Sequence, residues 1–426
     1  MKVAIGAYGT RGDLQPFLCL GRALADRGHE VEIVGDRSAA SMTRSIGLPF
    51  APLPCDMQQM FRGESAQRML AAGRVNAIFR WLAEEERRYA NELHQALLAS
   101  TESADLIVCG HTLEPRCRAI AAARGIAILP VFLCPLTPSR RFPSPLLTQR
   151  NLGPLNRFSH ELPFQMAWRA QRDALAALHR ELGLAPPTQR QWQYGYSGKA
   201  PLLLGYSSAL SPPPDDWPKR LRAVGPLTPW PELRERFGQV GIPAELEDWL
   251  KAGSPPVFLG FGSMPVLDAG EMLGTVREAL GNVGARGILA AGWSELSAVG
   301  DDTLFIASGE LDHQSLLPRC AAAVHHGGAG TTAASVGAGA PTLACGVMFD
   351  QHYWGSRCRK LGIGDTFPFT KLDTRRLTRG LRTVLDPQVA ARAKRVGQQV
   401  AEENGVEATV AFVEQGVELL RPAVSS

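Results

Sequence analysis

Residues 321–332 constrain the fold of this 426-residue chain more than any other stretch. The apolar run 321–324 reads as a buried strand. His325-His326-Gly327-Gly328-Ala329-Gly330 then make a turn, and Thr331 and Thr332 open a helix. Glycines let the backbone come close to a ligand. A helix N-terminus offers unpaired N–H groups and a partial positive charge, which suits a phosphate. The spacing is neither the dinucleotide fingerprint G-x-G-x-x-G nor a P-loop, because no lysine follows the glycines. Two readings stand at this point: a phosphate site, and a buried strand turning tightly into a helix. The paired histidines add a second signal. Adjacent strand residues point to opposite faces. One imidazole would face the core and the other the crevice beyond the strand's carboxyl end, where open α/β sheets bind ligands.

The same joint recurs along the chain. Strands are expected at 3–7, 31–34, 50–53, 105–110 and 127–133, with helices at 16–27, 38–46 and 116–124. A second set follows, with strands at 257–261, 287–291, 304–307, 321–325 and 342–345. Its helices fall at 269–280, 313–318, 331–337 and 353–361, then over about 373–421. This is the βαβ pattern of parallel, doubly wound sheets. The length exceeds one ordinary hydrophobic core, so two domains are expected. Ser211-Pro212-Pro213-Pro214 begins a linker zone that runs through Gly225-Pro226 to Ser254-Pro255-Pro256. The expected division is a first domain at 1–211, a linker at 212–256, a second domain at 257–405 and a closing helix within 406–426 that packs back on the first domain. The fold class is α/β, with two doubly wound, Rossmann-like domains facing across a cleft. A glycine turn follows the first strand of each half: Gly9-Thr10-Arg11-Gly12-Asp13 and Gly260-Phe261-Gly262-Ser263.

Composition removes several classes. Net charge is +4 and no dense Lys/Arg stripe occurs, so a nucleic-acid partner is not expected. Eight scattered cysteines without C-x-x-C argue against a zinc site or a disulfide framework and fit a reducing cytosol. The first residues run straight into a strand, with Arg11 and Asp13 soon after, which is no signal peptide. No segment is long and apolar enough to span a bilayer, so a cytoplasmic protein is expected. The stretch 136–166 breaks the alternation with prolines, aromatics and Arg140, Arg141, Arg150 and Arg157. It is too long for a routine connection, and its aromatics favour a packed role. The block Glu84-Glu85-Glu86-Arg87-Arg88 reads as a solvated helix face, and Glu114 as a helix-start carboxylate before Pro115.

Taken together, several segments resemble the nucleotide-sugar-dependent glycosyltransferases of the GT-B fold. They are Asp312-His313-Gln314, Leu317-Pro318-Arg319, the turn at 325–332, Ala338-Gly339-Ala340-Pro341 and Asp350-Gln351. The branch is the bacterial one near sterol and macrolide or glycopeptide-antibiotic glycosyltransferases. The opening Gly9-Thr10-Arg11-Gly12-Asp13-Leu14-Gln15-Pro16 is similar to the family's G-S-R-G-D-x-x-P, with Thr10 replacing Ser. Phe142-Pro143 and Gly153-Pro154-Leu155-Asn156-Arg157 resemble the acceptor region of sterol-type members.

The resemblance implies roles. His326 and the backbone of Gly328, Ala329, Gly330 and Thr331 would hold the donor diphosphate, with a hydroxyl from Thr331. Asp350 and Gln351 would bind sugar hydroxyls. Ser263, after Gly262, would reach the phosphates from the facing loop, and Thr10 and Arg11 are placed with the donor as well. Leu311 to His313 would meet the base, with Trp293 near it. Read from the residues alone, Phe142, Phe158 and Phe164 among the arginines of 136–166 suit a lipophilic acceptor, one presented at a membrane surface included, and a packed cap with solvated arginines is the other reading. Asp13 would stand where members place the catalytic base, a position at which plant relatives have His. His111 ends the strand at 105–110 and is the second candidate. A carboxylate near an imidazole would raise the histidine pKa and lower its own. No D-x-D signal calls for a metal, and no cofactor beyond the substrate is implied.

The expected activity is inverting, metal-independent transfer of a hexose to a hydroxyl of a lipophilic small molecule such as a sterol, terpenoid or polyketide. UDP-glucose leads as donor, with a dTDP-sugar next. Two rivals share the fold features. A nucleotide-sugar epimerase would need more acid/base groups around the sugar. A non-catalytic nucleotide-sugar-binding protein would not need Asp13 together with Asp350-Gln351.

Overall fold

A computed structural model describes residues 1–193, 201–239, 241–261, 269–290, 300–309, 311–416 and 420. Two parallel sheets organise them. The first contains β1 (Lys2–Ala7), β2 (Glu30–Gly35), β3 (Phe50–Pro52), β4 (Leu106–Cys109), β5 (Ala127–Phe132), β6 (Leu202–Leu204) and β7 (Leu221–Ala223). Its order is β3-β2-β1-β4-β5-β6-β7. The second contains β8 (Val257–Gly260), β9 (Gly287–Ala290), β10 (Leu304–Ala307), β11 (Ala322–His325), β12 (Thr342–Gly346) and β13 (Gly364–Pro368), in the order β10-β9-β8-β11-β12-β13. The inner strands read as continuous apolar runs, Leu-Ile-Val-Cys in β4 and Val-Phe-Leu-Gly in β8, because helices cover both faces.

Strand order places the site. In the first sheet the direction of winding reverses between β1 and β4, and in the second between β8 and β11. Loops leaving two such strands go to opposite faces, which opens a crevice at their carboxyl ends. The Gly9 turn follows β1 and His111 follows β4. The His326 turn follows β11, beside the turn after β8. Each half therefore presents its glycine turn at a switch point.

Several boundaries differ from the sequence expectation. The first helix is Arg11–Asp26 and does not wait for Pro16. The Thr10 N–H bonds to the Asp13 carboxylate at 2.9 Å, which starts the helix at the glycine turn and leaves Pro16 inside it. The stretch expected as a linker holds β7, an added strand of the first sheet, and the helices Pro231–Arg236 and Ala244–Lys251. Helix Gly405–Gly416 lays Val406, Val410 and Val413 into the core formed by Leu14, Phe17 and Leu18.

The halves are fastened together. Helices Met57–Arg62, Glu64–Ala71 and Val75–Arg88 bury Met57, Phe61, Leu70 and Ile78 in one cluster with Val257, Val347 and Met348. Ser211 Oγ lies 2.6 Å from the Tyr353 hydroxyl, and Arg357 donates to the Leu210 carbonyl at 2.7 Å. Among the described residues no helix is long and apolar enough to cross a membrane.

Candidate active site

Asp13 lies in the first turn of helix Arg11–Asp26, where the acidic end of a side chain favours the positive helix terminus. One carboxylate oxygen, Oδ2, accepts from the Thr10 N–H at 2.9 Å and the Thr10 hydroxyl at 3.2 Å. Gly9, at φ +136, makes this possible: a Cβ there would stand 2.4 Å from Asp13 Oδ2. Burial pushes the Asp13 pKa up to about 6 against those two bonds, with a small push from Asp36. Asp13 and His111 line one cavity with Gly6, Tyr8, Phe17, Gly110, Thr112, Leu113, Val131 and Leu133. His111 stands edge-on to Phe132 at 6.0 Å, and burial lowers its pKa to about 4. The shifts run opposite to those expected of an ion-paired dyad. Desolvation is the first cause of both shifts, so near neutral pH the carboxylate is mostly ionised and the imidazole uncharged.

A second cavity adjoins the first through Tyr8 and is lined by Pro54, Cys55, Met60, Glu85, Glu86, Tyr89 and Leu93. Glu86 is not part of a solvated face. Its carboxylate pairs at 2.7 Å with Arg116, a fully buried guanidinium that also donates to His94 at 3.3 Å. Glu114 does begin helix Glu114–Arg124, but it is buried and paired with Arg118.

In the second domain the two histidines divide as strand geometry requires. His325 is fully buried. Its Nδ1 accepts from the Gly327 N–H at 3.0 Å and its Nε2 lies 3.2 Å from Ser335 Oγ. His326 turns into the cleft over the N-terminus of helix Ala329–Gly337, whose N-cap is Gly328. A Cβ on Gly328 would stand 2.5 Å from His326 Nε2, so only glycine lets the ring lie there. His326 Nδ1 is buried without a hydrogen-bond partner. Burial, with His313 nearby, lowers its pKa to about 4. Ala329, Gly330 and Thr331 form the first turn of that helix, whose leading N–H groups have no partner within it.

Asp350 caps helix Gln351–Lys360 and accepts from Trp354 Nε1 at 2.6 Å. Its pKa is raised to about 6, first by burial and further by the charge of Asp13 across the cleft. The preceding Phe349 has φ +53, the one positive value at a non-glycine among the described residues, and packs edge-on against Phe79 at 5.5 Å. Gln351 is committed in part. Its Oε1 accepts from the Val347 and Met348 N–H groups at 2.8 and 3.1 Å, which leaves only its NH₂ for a ligand.

Other expected residues are placed differently. Gly262, Ser263 and Trp293 lie outside the described residues. Leu311 is buried in one cluster of the second domain with Phe258 and Leu316. His313 stands edge-on to Phe258 at 5.2 Å, near His326. Asp312 holds Arg234 with both oxygens, at 3.0 and 2.8 Å, and caps its own short helix. Arg11 donates to Gln15 at 3.1 Å. None of the three phenylalanines lines the Asp13–His111 cavity. Phe142 packs against His160, Trp217 and Tyr353, and Phe164 is buried against Trp192. Phe158 is 71% exposed on the outer surface. The segment after β5 packs through Phe142 on Tyr353 of the second domain and through Phe164 on Trp192. The residues that do line the cavity are Tyr8, Phe17, Leu113, Val131 and Leu133. The legible signal for Tyr8 was its place directly after β1.

Two doubly wound domains that each carry a glycine turn at a switch point have the architecture of the GT-B class. Comparison with known proteins agrees. Residues 3–110 match the glycosyltransferase family 28 N-terminal domain, and residues 290–419 match the erythromycin biosynthesis protein CIII-like C-terminal domain. The chain is 31% identical to an O-mycaminosyltylonolide 6-deoxyallosyltransferase of Streptomyces fradiae, covering 98% of each protein. It is 29% identical to a sterol 3-beta-glucosyltransferase of Arabidopsis thaliana over 96% of this chain and 67% of that one, and it spans 64% of a second Arabidopsis enzyme of that name. The calicheamicin glycosyltransferase CalG4 superposes with a TM-score of 0.70 at 16% identity, covering 99% of both chains. The chain belongs to this family of two-domain glycosyltransferases and is a glycosyltransferase.

Proposed function

We propose that the protein transfers a hexose, glucose first, from UDP-glucose or a related dTDP-sugar to a hydroxyl of a lipophilic small molecule, with inversion at the anomeric carbon. His326 carries this reading. Its Nε2 lies beside Gly328, the N-cap of helix Ala329–Gly337, and its Nδ1 has no hydrogen-bond partner. Asp13 lies across the cleft, close enough for its charge to act on Asp350. A diphosphate held by the helix N–H groups and His326 leaves with its growing charge stabilised. Asp13 takes the acceptor's proton as the new bond to the anomeric carbon forms and the bond to the diphosphate breaks. One base serves one attack, so the configuration inverts. The turn at the helix N-terminus supplies the charge stabilisation without a metal. Asp350 and the NH₂ of Gln351 orient the sugar. The largely apolar cavity of Phe17, Leu113, Val131 and Leu133 favours a lipophilic acceptor, of the sterol or macrolide kind that the relatives' names give.

The test needs no acceptor. UDP-glucose, dTDP-glucose and GDP-mannose are compared by thermal shift, and labelled UDP-glucose is followed for slow hydrolysis. The reading expects stabilisation by the first two and release of glucose. An epimerised nucleotide sugar, or no shift with any of the three, would overturn it.

A further inference from the structure

Seven large apolar side chains are exposed among the described residues, and six of them lie between positions 147 and 166. Leu155, Phe158, Leu162 and Met166 are spaced by three, four and four residues. The turn Gly153–Leu155, helix Asn156–Ser159 and helix Glu161–Glu181 run on through His160 in helical conformation. These four side chains therefore form one stripe. Phe158 is 71% and Leu155 59% exposed. Leu147 and Leu152, in the segment that precedes it in sequence, are exposed as well.

The stripe is held firmly from behind. Asn156 donates to the Arg140 carbonyl at 2.9 Å, Ser159 Oγ accepts from the Ser144 N–H at 2.7 Å, and the His160 ring meets the Phe142 carbonyl at 3.2 Å. Phe164 is buried on that inner side. The fold thus fixes an apolar surface outward, which soluble monomers rarely do at this extent.

Arginines border it. Residues 140–172 carry six arginines against one carboxylate, Glu161, so this segment accounts for the whole of the chain's +4 net charge. Arg140, Arg150, Arg157 and Arg169 are exposed, and none has an ion-pair partner shown among the described residues. An apolar face edged by free arginines fits an interface with acyl chains below and anionic headgroups around it.

We propose that this surface docks the enzyme on an anionic lipid bilayer. A second copy of the chain fits less well, because a two-fold contact through the patch would set arginine against arginine. The acceptor itself is taken by the separate cavity at Asp13. The proposal concerns a different surface from the reaction and stands without the reading of acceptor or donor.

The experiment is flotation of the purified protein with vesicles of phosphatidylcholine, with and without about 30% phosphatidylglycerol. Each basic residue near such a surface adds roughly a five-fold gain in partition. The anionic vesicles should bind at least about ten-fold more tightly, and 1 M salt should remove most of that gain. Leu155→Asp with Phe158→Asp should reduce binding to both vesicle types by at least about ten-fold, since each loses a buried apolar side chain. Both positions are exposed, so circular dichroism should be unchanged. Arg150→Glu with Arg157→Glu should remove only the preference for anionic lipid. Equal, weak binding to both vesicle types overturns the proposal, as does an unaffected aspartate variant. A dimer in solution that the aspartates split, without any vesicle binding, assigns the patch to a second copy instead.

Discussion

The charge of Asp13, on the first domain, raises the pKa of Asp350, on the second, so the two carboxylates stand within electrostatic reach of each other across the domains. Burial has already lifted both to about 6. For catalysis the sign is simple: Asp13 accepts a proton only when ionised, so transfer should fall as pH drops through about 6. For stability the sign is reversed. A carboxylate with a raised folded-state pKa binds its proton more tightly when folded, so stability is lost as pH rises from the ordinary value through about 6. Asp13→Asn should therefore lower transfer by about 10²–10⁴-fold. It should also raise stability at pH 8 by something on the order of 1 kcal/mol, after discounting for partial exposure. UDP-glucose should still bind. Near-normal turnover in this variant would remove Asp13 as the base.

His325 and His326 are neighbours with opposite fates. His326→Ala should weaken UDP-glucose binding by about 10- to 150-fold, the equivalent of a hydrogen bond to a charged group, with melting temperature little changed. His325→Ala breaks the buried contacts to Gly327 and Ser335. It should cost roughly 2–4 kcal/mol of stability by the loss of volume and of buried bonds. Titration calorimetry and thermal melts on the two variants separate the roles. If His326→Ala melts early and His325→Ala binds poorly while staying stable, the assignment is reversed.

The strand–turn–helix joint around His325 and His326 was legible because its determinants are local. Glycines, a histidine pair and the opening of a helix fall within twelve residues, and backbone rules connect them to a crevice. The strands that were missed are those whose existence depends on neighbours. β6 is three leucines, β7 has one buried residue, and β13 reads Gly-Asp-Thr-Phe-Pro, an edge strand paired only with β12. Pairing, not propensity, makes such segments strands. The lining of the Asp13–His111 cavity was not legible for a related reason. Tyr8, Phe17, Leu113 and Leu133 come from four separate elements, and only the sheet order gathers them. Phe142, Phe158 and Phe164 were chosen for being aromatic in a long loop, a property that says nothing of direction. Glu86 and Arg116 stand thirty positions apart in sequence and form a buried pair, which a charge block cannot reveal.

Gly9 should tolerate no side chain. At φ +136 any other residue is strained, and a Cβ would meet Asp13 Oδ2 at 2.4 Å. Gly9→Ala should displace the carboxylate and lower kcat by about 10²-fold, the usual consequence of moving a catalytic group by an ångström. Donor affinity should hold, because the second domain supplies it. Measured turnover within a few-fold of the parent would show that Asp13 does not need its present position.

The cavity and the aromatic cap make separable predictions about the acceptor. Leu133 lines the Asp13–His111 cavity and is partly buried, so Leu133→Trp can fill that space without overpacking a core. Across a panel of sterol and macrolactone alcohols it should raise KM for bulky acceptors by about ten-fold, the size expected from losing about two buried methylenes' worth of contact. Hydrolysis of UDP-glucose without acceptor should stay close to the parent rate. Phe164 lies in the core beside Trp192 and away from the cavity. Phe164→Ala should cost about 3–5 kcal/mol of stability and leave the ranking of acceptors as it was. Steady-state kinetics on the panel decide between them. An unchanged acceptor KM in Leu133→Trp, with a reordered panel in Phe164→Ala, would return the acceptor site to the cap.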